Sequence, residues 1–193
     1  MNLVVNGDAE TGPGGTPEPV AAVTGWRVLQ GAPALIAYSH GGGYPGPKDP
    51  GPTPRGSRFF GGGNSARTVL VQDVALPEGG ATGHAAVDAR RVRYAVTAWL
   101  GGYAAQEDGA RLSVEFRDGR GTPLALSVLG PVTAGERRGR TGLVERSAAA
   151  AVPPGSRTAR VLLVLTRSGG TSNDGYADQI SLSLASTAAG SAQ

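Results

Sequence analysis

The sequence predicts an all-β chain folded as a two-sheet antiparallel β-sandwich, or jelly roll. Three observations predict it. Glycine (32) and proline (14) are abundant, yet they punctuate apolar runs instead of forming a low-complexity tract, which is the spacing of turns between short strands. Several runs alternate apolar and polar residues with period two, RLSVEFR (111–117) most clearly, the pattern of a strand with one wet face. No segment forms a convincing helix: the Ala148–Ala151 run meets two prolines at once, and proline ends helices.

The elements follow in order. Asn2–Val5 is a short apolar strand, and Gly12–Pro19 is a turn-rich loop. Strands are expected at 26–29 and 35–38. HGGGYPGPKDPGPTPRG (40–56) is too rich in Pro and Gly for a helix or a central strand, and loops of this length are usually functional or mobile. TVLVQDV (68–74) is a strand, and FFGGGNSAR (59–67) reads as a loop before it. In RVRYAVTAWL (91–100), Val92, Tyr94, Val96, Ala98 and Leu100 share one face and Arg93, Thr97 and Trp99 the other. DGRG (118–121) is a hairpin turn between RLSVEFR and Leu124–Leu129. Further strands are expected at 141–150, at 159–167, which is apolar on both faces, and at 179–184. The length suits one domain, 1–185, with a flexible tail at 186–193. No internal repeat is present.

Composition excludes several function classes. Without cysteine, disulfides, thiolate metal sites and Cys nucleophiles are absent. The net charge is +3, and Lys48 is the only lysine beside seventeen scattered arginines. A nucleic-acid footprint would need clustering on one element, so no nucleic-acid partner is expected. No stretch reaches the length of a membrane span. The N-terminus has neither a basic n-region nor an apolar h-region, so no signal peptide is expected in this chain. His40 and His84 sit in no metal-binding spacing, and no G-x-S-x-G elbow or Walker loop occurs. No catalytic residues are assigned, and the chain is expected not to be an enzyme.

Acidic residues stand at both ends: Asp8 and Glu10 in NLVVNGDAE, and Asp178 just before QISLSL. First and last strands of a sandwich often lie side by side, which would bring these carboxylates together. Ca²⁺ takes six to eight hard oxygen ligands, and Glu10, Asp178 and Asp8 could supply some of them. Plain turn chemistry is the alternative, because Asn and Asp bond their own backbone in such turns.

NLVVNGDAE followed by Gly25-Trp26, together with the C-terminal GYADQISL, resembles the paired end signatures of galactose-binding-like jelly rolls, many of them carbohydrate-binding modules. AWLGGYAAQEDGARLSVEFRDGRGTPL, GPVTAGERRGRTGL and VPPGSR are also similar to bacterial modules of this type, so the resemblance runs from Asn2 to Leu184. Ala9 departs from it, since an aromatic often stands there. The resemblance implies a structural Ca²⁺ held by Glu10 and Asp178. It also implies a non-catalytic module that binds carbohydrate or a glycoconjugate, in an extracellular or cell-surface setting, with a cytoplasmic one as the alternative. The other function class is a structural or adhesive subunit with a protein partner.

Sugar recognition needs an aromatic to stack on and planar hydrogen-bonding groups beside it. Three Gly-rich loops supply that chemistry: Asn64 in the first, Tyr103, Gln106 and Asp108 in the second, Asn173 and Asp174 in the third. These are the expected ligand-binding residues if the loops meet at one rim. Self-satisfaction of the loops is the alternative role. Tyr38, His40 and Tyr44 form a second candidate surface, and a concave sheet face is the other place where such modules bind. Trp26 and Trp99 are expected in the core.

Overall fold

The computed structural model describes residues 1–187; the expected flexible tail lies mostly outside the described residues. Ten strands and one short helix follow in the order β1 (Arg27–Gln30), β2 (Ala34–Ala37), β3 (Arg58–Gly61), β4 (Arg67–Ala75), α1 (His84–Asp88), β5 (Val92–Gly102), β6 (Gly109–Arg117), β7 (Pro123–Leu129), β8 (Gly142–Ala151), β9 (Thr158–Thr166) and β10 (Tyr176–Ser186). They form two five-stranded sheets, ordered β1-β4-β9-β6-β7 and β2-β3-β10-β5-β8. All strand pairings within the sheets are antiparallel.

The period-two runs set the core. Leu112, Val114 and Phe116 of β6 face inward with Val161, Leu163 and Leu165 of β9, against Val96, Ala98 and Leu100 of β5 and Ile180 and Leu182 of β10. Tyr94 and Phe116 bridge the sheets with ring centroids 4.7 Å apart. Trp26 is buried as expected, edge-on to Phe60 at 5.8 Å.

Three expectations fail. FFGGGNSAR begins with β3, whose Phe59 and Phe60 are fully buried; four residues are too few to display a period, and the glycines that follow mask them. HAAVD forms α1, which packs Ala86 and Val87 inward between β4 and β5. Asn2–Val5 is not a regular strand: Leu3 alone pairs through its backbone N–H, and the Val4 and Val5 N–H groups go to side chains. Asn2 brackets β10, its amide donating to the Ile180 carbonyl and its oxygen accepting from the Leu182 amide, both at 3.0 Å. Gln72, reaching over from β4, accepts from Val5 N–H at 2.8 Å and donates to the Val5 and Gly25 carbonyls.

The two chain ends are therefore neighbours. Leu3 N–H donates to the Leu182 carbonyl and Ile180 N–H to the Gly7 carbonyl, each at 2.8 Å. Gly7 is required here, because a Cβ would collide with the Ile180 carbonyl oxygen. Gly7→Ala is expected to cost about 1–3 kcal/mol and to lower the melting temperature by roughly 3–10 °C; thermal unfolding measures it.

The outer face of the second sheet carries its own apolar cluster. Ala34, Ile36, Tyr38, Phe59, Leu143 and Tyr176 are buried there, with Tyr44, Trp99 and Tyr103 packed at its margins. What buries it is the Pro/Gly loop 40–56. That loop is strapped down by its own polar groups: Arg55 lies over the Tyr38 ring at 5.0 Å and donates to the Gly46 and Asp49 carbonyls. Asp49 accepts from Gly46 N–H at 2.8 Å, and the Pro50 carbonyl accepts from Leu143 N–H at 2.9 Å.

Candidate functional site

The joined chain ends create an acidic spot. A bulge in β10 between Asp178 and Ser181 places Gln179 in the left-handed region (φ 49°). The bulge leaves Asp178 fully buried on the outer face. Its Oδ2 accepts from the Tyr38 hydroxyl and its Oδ1 from Gln179 N–H, both at 2.7 Å. Burial pushes the Asp178 carboxyl up to about 8, against the two hydrogen bonds, with the charges of Glu10 and Asp8 adding to the rise. Tyr38 is pushed well above the ordinary phenol range by burial and by Asp178.

Glu10 Oε1 accepts from Ser57 N–H at 2.6 Å and Arg58 N–H at 2.8 Å, joining the N-terminal segment to β3. Arg58 donates in turn to the Glu10 and Gly12 carbonyls. Asp8 turns one oxygen toward Glu10 N–H at 3.4 Å. Among the described residues no three Asp, Glu or His side chains are grouped as a metal cage. The groups present are hard oxygen donors of the kind Ca²⁺ takes. Asp178 is a carboxyl raised mainly by burial, with smaller additions from the Glu10 and Asp8 charges, and Glu10 keeps a second oxygen that makes no hydrogen bond among the described residues. A site here would use Glu10 and Asp178 with backbone carbonyls, and Asp8 at its edge.

Beside this spot the sheet is open. In the register, Glu145 of β8, Trp99 of β5 and Asp178 of β10 form one row across three strands, and Ser147, Thr97 and Ser181 form the next. Pro52–Pro54 of the strapped loop form one edge of a cleft of about 380 Å³, whose floor is Trp99, Thr97, Ser181, Gln179 and Glu145. Trp99 is half-buried and stands outside the inter-sheet core. This corrects its expected core placement. The signal was in the alternation, since Trp99 falls on the face opposite Val96, Ala98 and Leu100; a tryptophan there belongs to the outer surface.

The expected rim residues separate into two groups. Asp108 is fully buried and ties loops together, accepting from Ser168 N–H (2.7 Å) and Oγ–H (2.8 Å) and from Asp174 N–H (2.9 Å). Asn173 is buried and donates to the Ser65 and Leu165 carbonyls. Both are spent on holding the loops together, mostly through backbone groups. Asn64 and Gln106 are exposed, each with its carbonyl engaged by an arginine, Arg167 and Arg137 respectively. Tyr103 and Asp174 line a small pocket together with Tyr44 and Tyr176.

No protein-family model matches the chain, and no curated protein matches it. Among solved structures it is similar to "Family 16 Carbohydrate Binding Module-2", with TM-score 0.57 and 18% identity over 94% of this chain and 99% of that one. It is similar to a cyclase from Fischerella sp. TAU, with TM-score 0.61 and 12% identity over 97% and 98%. It also resembles the enzymatically active domain of bacteriophage CBA120 tailspike protein 4, with TM-score 0.54 and 16% identity over 96% of this chain and 22% of that one. At these identities the likeness is one of fold: a β-sandwich of the type seen in carbohydrate-binding modules, as the two end signatures imply.

Proposed function

We propose that the chain is a non-catalytic carbohydrate-binding module that lays a saccharide in the outer-face cleft on Trp99. The observation that carries this reading is the cleft itself, a half-buried indole among hydroxyl, amide and carboxylate groups on a sheet face otherwise roofed by its own loop. Its size is within the usual range for small-molecule sites, about 300–1,000 Å³. The apolar face of a pyranose ring fits the indole, and its hydroxyls find partners in Gln179, Thr97, Ser181 and Glu145. Gln179 is supplied by the bulge, so the strained turn beside Asp178 also shapes the cleft.

In this reading a structural Ca²⁺ fastens the chain ends, held by Glu10 and Asp178 with Asp8 at the edge. It would balance the Asp178 carboxylate beside Trp99 and perform no chemistry. The setting is extracellular or at a cell surface, where polysaccharide is met; no helix among the described residues is long and apolar enough to cross a membrane.

Affinity electrophoresis through gels containing neutral polysaccharides tests the proposal. Retardation by at least one of them is expected. A second reading, an adhesive subunit with a protein partner, draws on one observation. Leu124, Leu126 and Val128 are 41%, 61% and 45% exposed along the edge strand β7, and an apolar edge strand is a pairing surface. Absence of retardation in every gel, with self-association by light scattering, would favour that reading.

A further inference from the structure

The rim pocket that gathers Tyr103 and Asp174 is separate from the Trp99 cleft and has a different chemistry. Its space is about 140 Å³, and Tyr44, Tyr103, Tyr176, Ser172 and Asp174 line it. Asp174 is held in place from two sides. Its N–H donates to the buried Asp108 carboxylate at 2.9 Å, and its Oδ1 accepts from the Tyr176 hydroxyl at 2.8 Å. Its Oδ2 makes no hydrogen bond among the described residues. Tyr44 stands edge-on to Tyr176 with centroids 6.1 Å apart. The remaining wall is backbone: Gly42 and Gly43 are left-handed (φ 67° and 92°), and a Cβ on Gly43 would come within 3.0 Å of the Tyr103 ring.

This is a half-buried carboxylate without a cation. No Lys, Arg or His lines the pocket among the described residues. The neighbouring charge that acts on Asp174 is Asp108, itself negative, and burial with that charge pushes the Asp174 carboxyl above its ordinary range. The lining side chains offer acceptors: a carboxylate oxygen, a serine oxygen and phenolic oxygens. An ammonium group has three donors and no acceptor, and tyrosine rings attract cations.

We propose that this rim pocket binds a primary ammonium group carried on a deacetylated amino sugar. The pocket stands on its own geometry; the choice of a sugar as carrier rests on the carbohydrate-binding reading. The space suits a head group and the carbon that bears it, and an N-acetyl group in its place would remove the charge and add bulk against Tyr103.

Calorimetry on the whole chain tests it with three probes: a glucosamine tetramer, an N-acetylglucosamine tetramer and a lysine-containing tripeptide. The glucosamine tetramer is expected to bind, and the acetylated one at least about tenfold more weakly. Asp174→Asn keeps an acceptor for the Tyr176 hydroxyl, so its melting temperature should match the parent chain, and glucosamine binding should fall by a similar factor. Gly43→Ala, which sets a Cβ against the Tyr103 ring and strains a left-handed turn, should weaken it as well. Equal affinity for the two tetramers, or full affinity in Asp174→Asn, would overturn the proposal. Tighter binding of the tripeptide than of the glucosamine tetramer would overturn the sugar as carrier. Gel retardation by neutral polysaccharide, read in parallel, reports on the Trp99 cleft alone. Asp174-dependent glucosamine binding without any such retardation would sink the cleft and uphold the pocket.

Discussion

Trp99→Ala is expected to abolish retardation in polysaccharide gels and to leave the sandwich folded. Trp99 stands in the row between Glu145 and Asp178, half-buried on the outer face, while the inter-sheet core is filled by Val96, Ala98 and Leu100 from the opposite side of the same strand. Truncating a central aromatic anchor in an interface typically costs about 2 kcal/mol or more. That is roughly a thirtyfold loss, enough to carry a weak polysaccharide complex out of range. Trp99→Phe should keep part of the binding, because a flat ring remains. Gln179→Ala should weaken it less, through loss of hydrogen bonds only. Unfolding curves for the same variants separate binding from stability: a large drop in melting temperature with undiminished retardation would mean that Trp99 serves the fold.

The second large effect lies at the joined chain ends. In chelator, stability is expected to fall as the pH rises from about 4 to about 8. The Asp178 carboxyl titrates near 8 in the folded chain and near the ordinary value of about 4 when unfolded. Below that lower value both states are protonated, and the folded state carries no penalty from this group. Through the window the folded state binds more protons than the unfolded one, so stability drops with each step of pH, by a few kcal/mol in all. Above about 8 the loss is complete, because the buried carboxylate is charged with only hydrogen bonds, and no cation, to balance it. If Ca²⁺ is held there as proposed, it is expected to reverse this by balancing Asp178 and Glu10. At a hundred times its dissociation constant it adds about 2.7 kcal/mol, or roughly 5–10 °C, and the gain should be larger at pH 8 than at pH 5. Asp178→Asn keeps an acceptor for the Tyr38 hydroxyl and should remove both the pH slope and the Ca²⁺ response. Melting curves at pH 8 that ignore Ca²⁺ would rule out the cation.

The long strands were legible because their period is long enough to see. RLSVEFR alternates over seven residues and is β6; ARVLLVLTR is apolar on both faces and becomes β9 inside its sheet. The neighbourhood of the two ends was legible too, from carboxylates flanking apolar runs at both extremes. What hid were elements too short for a period: the four residues of β3, and α1, whose five residues hold two buried apolar side chains. Gln72 gave no local sign that it would clamp the first segment, because its partners Val5 and Gly25 are distant in sequence. Asp108 and Asn173 look the same in sequence whether they serve a ligand or a loop. Burial decides, and both are buried against backbone. The cleft was hidden for a related reason. It depends on where loop 40–56 stops, and the hydrogen bonds from Arg55 and Asp49 that set this are tertiary.

A nitrogen–proton correlation spectrum recorded while a retarding polysaccharide's oligomer is titrated in reads the binding face residue by residue. The Trp99 indole N–H, the Gln179 side-chain amide and the backbone of Thr97 and Ser181 should shift together, in one saturable curve. Shifts confined to the Leu124–Val128 edge, or to the rim loops with Trp99 unmoved, would contradict a saccharide lying on this sheet face.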